Sequence, residues 1–89
     1  MALYSNKTAT GSVQNGEGLI YGVIVNSHTS GTMKLWDSLS AAGSVIVNTF
    51  TFPAGSGVYT FPEPIAYKTG LFLTLGGTLD ITFVYQPTN

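Results

Sequence analysis

The sequence predicts an all-β fold: a single small antiparallel β-sandwich, of jelly-roll or immunoglobulin-like kind, with seven or eight short strands. Three observations support this prediction. Helical periodicity is nearly absent, β-branched and aromatic residues recur in short runs, and clusters of Gly, Pro, Asn and Ser separate those runs at nearly even spacing. At 89 residues the chain fits one domain, residues 1–89, because a single core serves chains well beyond this length.

The N-terminal half is predicted to begin with an edge strand or an arm; in the second alternative, residues 1–17 are an N-terminal arm and loop. The segment LIYGVIVN is apolar on both faces, which is typical of a central strand, and its Gly22 marks a bulge or the close approach of another backbone. The polar run NSHTSG that follows is typical of a hairpin turn. The predicted strand or arm covers residues 3–10, the loop 11–18, the central strand 19–26, the turn 26–31 and the returning strand 32–38.

The C-terminal half is predicted to contain the remaining strands, which proline and glycine separate. The run SVIVNTFTF is the most β-prone of the chain. Pro62-Glu63-Pro64 should end a strand, because proline donates no hydrogen bond to a ladder. These strands are expected over residues 44–52, 58–61, 65–68, 71–75 and 78–86.

The last two of these strands are expected to form a hairpin across the three-residue connection 76–78. This register places Leu73 opposite Ile81 and builds one continuous apolar face. A two-residue turn, the alternative, would place Leu73 opposite Asp80 and mix polar and apolar groups on both faces. In the favoured register the apolar face carries Leu71, Leu73, Leu75, Leu79, Ile81 and Phe83.

The charge of the chain limits the partners that it can bind. Charged residues make up 8% of the sequence, against about 25% in typical proteins, and the net charge is −1. The three basic residues, Lys7, Lys34 and Lys68, are too scattered to form a basic patch, so nucleic acid and anionic membranes are not expected partners. The N-terminus lacks the pattern of a signal peptide, and the apolar runs are too short to span a bilayer.

Candidate catalytic residues are few, and we expect no enzymatic activity. The single histidine, His28, follows Ser27 and lies near Asp37 in sequence, so a Ser-His-Asp set can be written down. Triad members are held by rigid neighbours, whereas His28 is predicted to lie in an exposed turn. A lone histidine and dispersed acids match no metal-ligand spacing, so neither a cofactor nor a metal is expected. The acids are Glu17, Asp37, Glu63 and Asp80.

The candidates for an interface or a binding surface are four aromatic residues: Trp36, Tyr21, Tyr59 and Tyr67. Aromatic residues in a small sandwich usually belong to the core or to an interface. In the alternative hypothesis, an exposed coplanar row of these rings stacks on sugars, and the protein is a small carbohydrate-binding module of lectin type. We predict that Trp36 is mostly buried, in the core or an interface, although its strand neighbours on the same side, Lys34 and Ser38, are polar.

Three motifs of the chain are structural in character: a strand that ends in LWDS, the step TGL at residues 69–71, and the pattern GGT-D-T-x-x-Y over residues 76–85. In these motifs the chain resembles small structural proteins of tailed bacteriophages. The resemblance extends over residues 18–26, 34–38 and 59–85. It implies a virion accessory protein, made in the host cytoplasm, such as a capsid decoration protein, with head-fibre and tail subunits as close variants. It offers no active site.

We also expect this chain to work as an oligomer or docked on a larger protein surface. Residues 19–26 and 44–52 carry apolar side chains on both faces, whereas a small two-layer sandwich covers only one face of each sheet. The remaining apolar surface requires a protein partner. Symmetry makes self-association the commonest solution, so we expect a homo-oligomer. The resemblance suggests a trimer and, as a further partner, a major capsid protein or another virion protein.

Overall fold

The computed structural model describes residues 2–88, and this part of the chain forms six antiparallel strands and no helix. The predicted all-β class is therefore confirmed. The strands are β1 (Leu3–Lys7), β2 (Gly11–Asn15), β3 (Gly18–Asp37), β4 (Ser44–Thr51), β5 (Gly57–Tyr67) and β6 (Gly70–Pro87).

Two long strands, β3 and β6, form the centre of the sheet and pair with each other along most of their length. On its other side, β6 pairs with β1 towards its C-terminal end and with β2 towards its N-terminal end. On its other side, β3 pairs with β5 in its N-terminal part and with β4 in its C-terminal part. The sheet therefore has a first half with the order β1-β6-β3-β5 and a second half with the order β2-β6-β3-β4.

The two central strands cannot be straight. β3 contains 20 residues, and a straight strand of that length would extend about 66 Å at about 3.3 Å per residue. The longest dimension of the molecule is 35 Å. Both β3 and β6 must therefore bend, and they bend together because they remain paired with each other.

The bend lies at residues 26–31 of β3 and 76–80 of β6, where the register between the two strands shifts. Ser30 and Gly77 have positive φ angles of 51° and 69°, the left-handed conformation that breaks a regular strand. A Cβ atom on Gly77 would overlap the carbonyl oxygen of Ser30. Only glycine fits at this position without strain, because it has no Cβ atom.

The two hairpins that the sequence predicts at the position of this bend are therefore wrong. Residues 26–31 and 76–78 do not reverse the chain, and Leu73 pairs with Leu35 while Asp80 pairs with Ser27. The physical reason is that each segment finds its partner in the other long strand, so that both continue through the bend. The apolar face expected along β6 is nevertheless present, with the following residues buried: Leu71, Leu73, Leu79, Ile81 and Phe83.

The strand count differs from the prediction for the same reason. Six strands replace the seven or eight expected. Three pairs of predicted strands are each one continuous strand in β3, β5 and β6, and β2 is an additional strand in a segment predicted to be a loop. In β5, Pro62 and Pro64 do not end the strand. They lie in a bulge between Thr60 and Ile65, where the register with β3 shifts and the ladder requires no donor from them.

The N-terminal segment is more ordered than predicted. The first alternative, an edge strand, applies to β1, which pairs with residues 81–85 of β6. The predicted loop over residues 11–18 is instead occupied largely by β2, which pairs with residues 70–73 and has a bulge at Val13. Gly16, with a φ of 99°, then turns the chain into β3.

The core combines residues from both halves of the sheet in one cluster. Val23 and Phe83 come from the first half, and Leu35 and Leu73 come from the second half. Their burial in one cluster removes apolar side chains of both halves from water. The whole cluster consists of Ile20, Val23, Val25, Met33, Leu35, Phe52, Tyr67, Leu71, Leu73, Leu79, Ile81 and Phe83.

Candidate functional site

The outer face of the second half carries a row of partly exposed apolar side chains. Trp36 of β3 pairs with Phe72 of β6 on one side and with Val45 of β4 on the other. Directly paired residues in an antiparallel sheet point to the same face, so these three side chains form a continuous row across three strands. We call Phe72, Trp36 and Val45 the outer apolar row. Val45 is 43% exposed.

Trp36 is the central residue of this row and is half-buried. Its indole N–H donates to the Thr74 hydroxyl at 3.0 Å. The Lys34 ammonium lies 4.4 Å from the centre of the indole ring. Met33 and Leu35, which alternate with these residues, are buried in the core. Trp36 is therefore not a core residue, and its partial exposure leaves the interface part of the prediction open.

The other three predicted site residues lie elsewhere and do not form a row with Trp36. Tyr21 is half-buried near the other end of β3 and donates to the side-chain oxygen of Gln86 at 2.9 Å. Tyr67 is a core residue whose hydroxyl donates to Gln14. Burial, with the neighbouring Tyr85 phenol as a smaller cause, raises the pKa of Tyr67 to about 12.

Tyr59 belongs to an aromatic cluster that packs between β4 and β5. Its ring centre lies 5.8 Å from that of Phe50 and 5.4 Å from that of Phe52, and the two phenylalanine rings are 5.2 Å apart. Such tilted and edge-on geometry is favourable for aromatic pairs. Phe50 remains 39% exposed. The cluster therefore packs against the core and presents one apolar edge to solvent.

His28 is half-buried in a strand and is not part of a free turn, which corrects the prediction. One imidazole nitrogen, Nδ1, accepts from the Gly31 backbone N–H at 3.0 Å. The other, Nε2, lies 2.6 Å from the Pro53 carbonyl oxygen. Since Nδ1 accepts, Nε2 is the nitrogen that carries the proton and donates. The ring also packs against Phe52, so His28 fixes the segment after β4 to the bend.

Asp37 holds the tight connection between β5 and β6. Its carboxylate accepts from the backbone N–H groups of Lys68, at 3.0 Å, and Thr69, at 2.8 Å, and more weakly from Gly70. Burial raises the pKa of Asp37, but the three backbone donors and the nearby Lys68 charge outweigh burial and lower it below 3.8. Asp37 is therefore a structural cap of the connection.

The structure does not assemble the Ser-His-Asp set that the sequence permits. The two imidazole nitrogens of His28 are engaged with backbone groups, and the carboxylate of Asp37 binds the β5–β6 connection. Within residues 2–88, no group of three or more His, Cys, Asp or Glu side chains is placed to hold a metal ion. The same residues contain no helix that is long and apolar enough to cross a membrane.

A polar cluster that the sequence did not reveal lies on the outer face of the first half. It consists of Asn6 of β1, Asp80 and Thr82 of β6, and Asn26 of β3. The Asn6 amide donates to an Asp80 carboxylate oxygen at 2.6 Å, and the Asn26 amide donates to the same oxygen at 3.2 Å. Sequence reasoning missed this cluster because its members are contributed by three strands that only the fold brings together.

The comparisons with known proteins identify no relative. A scan against protein-family models, a search of curated proteins and a search of solved structures each give no match.

Proposed function

We propose that this chain is a non-enzymatic structural subunit of a larger assembly, and specifically a bacteriophage virion accessory protein such as a capsid decoration protein. The observation that carries the proposal is the outer apolar row. Phe72, Trp36 and Val45 lie side by side on one face of the sheet. Among residues 2–88, no other strand covers the apolar surface of these three side chains. The virion assignment itself rests on the resemblance of the sequence segments to phage structural proteins.

The chemistry of the surface supports docking onto a protein. Buried aromatic anchors dominate the energetics of protein interfaces, and Trp36 is available for this role at the centre of the row. β4, with the sequence SVIVNTFT, contains neither a charged residue nor proline. Its register with β3 shifts twice, and such bulges twist an edge away from strand addition. Contact through the side chains of the row is therefore the proposed mode, and not backbone pairing at the edge.

The finer fold is proposed to be a two-layer β-sandwich, in which the two halves of the bent sheet pack face to face. The single core cluster, with Val23 and Phe83 from one half and Leu35 and Leu73 from the other, supports this architecture. Each layer then has one outer face in solvent. Nuclear Overhauser effects between the Val23 and Leu35 methyl groups would test the face-to-face packing, and their absence would contradict it.

The partners are proposed to be further copies of this chain in a homo-oligomer, a trimer being the form that the phage resemblance suggests, and a major capsid or other virion protein. Sedimentation velocity of the purified chain, combined with co-sedimentation on empty capsids of its source phage, tests this. Val45→Ser should weaken oligomerisation or capsid binding by about tenfold, since burying such a side chain contributes about 1.5 kcal/mol or more. Val58→Ser, at an exposed valine of the first half, is the matched control.

A wild-type chain that stays monomeric at high micromolar concentration and also does not bind the capsid would contradict the proposal. If Val45→Ser and Val58→Ser weakened oligomerisation or capsid binding equally, the outer apolar row would not be the docking surface.

A further inference from the structure

The outer face of the first half carries a prearranged set of hydrogen-bonding groups that the docking proposal does not use. Asn6, Asp80, Thr82 and Asn26 come from three adjacent strands. The Thr82 hydroxyl accepts from the Asn6 and Asn26 amides at 3.2 and 3.1 Å. Both amide groups thus donate to the same two side chains of β6, Asp80 and Thr82, which fixes the orientation of all four side chains.

The amide N–H groups of Asn6 and Asn26 are used in hydrogen bonds within the cluster, whereas several oxygen acceptors have no donor among the described residues. Among residues 2–88, the second carboxylate oxygen of Asp80 and the amide oxygens of Asn6 and Asn26 accept no hydrogen bond. The Thr82 hydroxyl retains a proton that it can donate. The cluster therefore presents three acceptors and one donor within a small area, and these groups are complementary to a ligand that has several hydroxyl groups.

Apolar side chains flank the cluster on both sides. Tyr4 precedes Asn6 by two residues on β1, points to the same face and is 80% exposed. On the other side, Ile24 pairs with Val58, which is 67% exposed. Ile24, Asn26 and Val58 also line a shallow depression of about 260 Å³ at the start of β5. A ligand on the cluster would therefore lie between an exposed phenol ring and an aliphatic wall.

We infer that this face binds a neutral saccharide. Sugar hydroxyls would donate to Asp80, Asn6 and Asn26, and the apolar face of a pyranose ring would pack on Tyr4. A hard cation fits the cluster less well, because Ca²⁺ takes six to eight oxygen ligands and the cluster offers one carboxylate. A cation would also make no use of Tyr4 or Val58. The inferred site is distinct from the aromatic row considered from the sequence and does not involve Trp36.

Titration of the ¹⁵N-labelled chain with methyl glycosides of glucose, galactose, mannose and N-acetylglucosamine, and with short oligomers of each, tests the inference. We expect amide shift changes at Asn6, Asn26 and Asp80 with a Kd in the millimolar range for at least one of these sugars. Asp80→Asn loses the charge and one acceptor but can keep the oxygen that accepts from Asn6 and Asn26, so it should retain the fold and raise that Kd about tenfold, or about 1.4 kcal/mol. Tyr4→Ala should raise it by a similar factor through loss of stacking.

Glu63→Gln, which removes an exposed carboxylate outside the cluster, is the control and should leave the Kd unchanged. Thermal melts of each variant separate lost binding from lost structure. Four results would overturn the inference: no shift changes at the cluster with any sugar, sugar binding that Asp80→Asn and Tyr4→Ala leave intact, binding lost instead in Trp36→Ala, or shift changes with CaCl₂ alone. Apart from the Trp36→Ala result, none of these bears on capsid docking, which the Val45→Ser variant tests.

Discussion

Asp37→Ala should destabilise the fold more than any other single carboxylate substitution. The Asp37 carboxylate accepts hydrogen bonds from Lys68, Thr69 and Gly70 at 2.8 to 3.4 Å. A hydrogen bond to a charged group contributes about 1.5–3 kcal/mol, but water replaces part of this for the exposed Lys68 and Thr69 amides. We therefore expect a loss of about 2–3 kcal/mol from a total on the order of 4–13 kcal/mol for a chain of this length.

The assay is urea unfolding followed by circular dichroism, together with thermal melts. At about 4–8 °C per kcal/mol for a domain of this size, the melting temperature should fall by about 8–24 °C. Asp37→Asn keeps one acceptor oxygen and should lose about half as much. Glu63→Gln, at an exposed carboxylate, is the control and should change stability by less than about 0.5 kcal/mol.

The pH dependence gives a second and independent check on Asp37. Its pKa in the folded state lies below the ordinary value of 3.8. Its contribution to stability is therefore complete above that value and is lost as the pH falls through the lower folded-state pKa. The stability difference between wild type and Asp37→Ala should be constant near neutral pH and should shrink at acid pH. A difference below about 0.5 kcal/mol, or one that does not change with acid, would refute the reasoning.

Three further predictions concern residues that fix the fold. Gly22→Ala should lower the free energy of unfolding in urea by about 3 kcal/mol or more, because the added Cβ would lie 2.5 Å from the Tyr59 carbonyl oxygen. Gly57→Ala is the control and should be nearly neutral, because the added atom there meets only ordinary contacts. Equal effects of the two substitutions would contradict this reasoning. Tyr67→Phe should lower the free energy of unfolding by about 1 kcal/mol. In an alkaline absorbance titration, the wild type should show a phenolate that forms near pH 12 and the variant should lack it, whereas a Tyr67 phenolate formed near pH 10 would argue against burial. Tyr67 should therefore contribute its full stability below about pH 10 and lose it as the pH approaches 12. His28→Phe should keep the packing on Phe52 yet lose about 1–2 kcal/mol in thermal melts, and an unchanged melting temperature would show that the bonds to Gly31 and Pro53 contribute nothing.

Side-chain alternation was the part of the fold that local sequence could predict. In β3, Met33 and Leu35 are buried while Lys34 and Trp36 lie on the other side, as the period of a strand requires. Gly22 was predicted to mark a bulge or a close backbone approach, and both occur there, against Tyr59 and Thr60. These features depend only on residues that are near in sequence or on the size of one side chain.

Chain reversal was the part that local sequence could not predict. Gly76-Gly77 has the residues of a hairpin turn, and Gly77 does adopt a positive φ angle. The same conformation also permits two paired strands to bend together, and the choice between the two depends on whether β3 is available as a partner. Because that partner lies about 50 residues away, no local signal distinguishes a turn from a bend.

Sequence reasoning identifies candidate residues but not the surface that they share with their neighbours. Trp36, a candidate from the sequence, lies in the outer apolar row. Its neighbours in that row, Phe72 and Val45, are not among the sequence candidates, because the register with β6 and β4 decides which side chains adjoin it. Tyr67 was named for its aromatic ring and lies in the core. Composition identifies residues that favour interfaces, whereas the face that each residue occupies depends on the complete fold.

Quantitative mass spectrometry of purified virions from the source of this chain tests the proposed function most directly. The proposal predicts that the chain remains with the particles through density-gradient purification and is present in many copies for each particle, in a fixed ratio to the major capsid protein. A chain that is synthesised during infection but is absent from the purified particles would contradict the proposal.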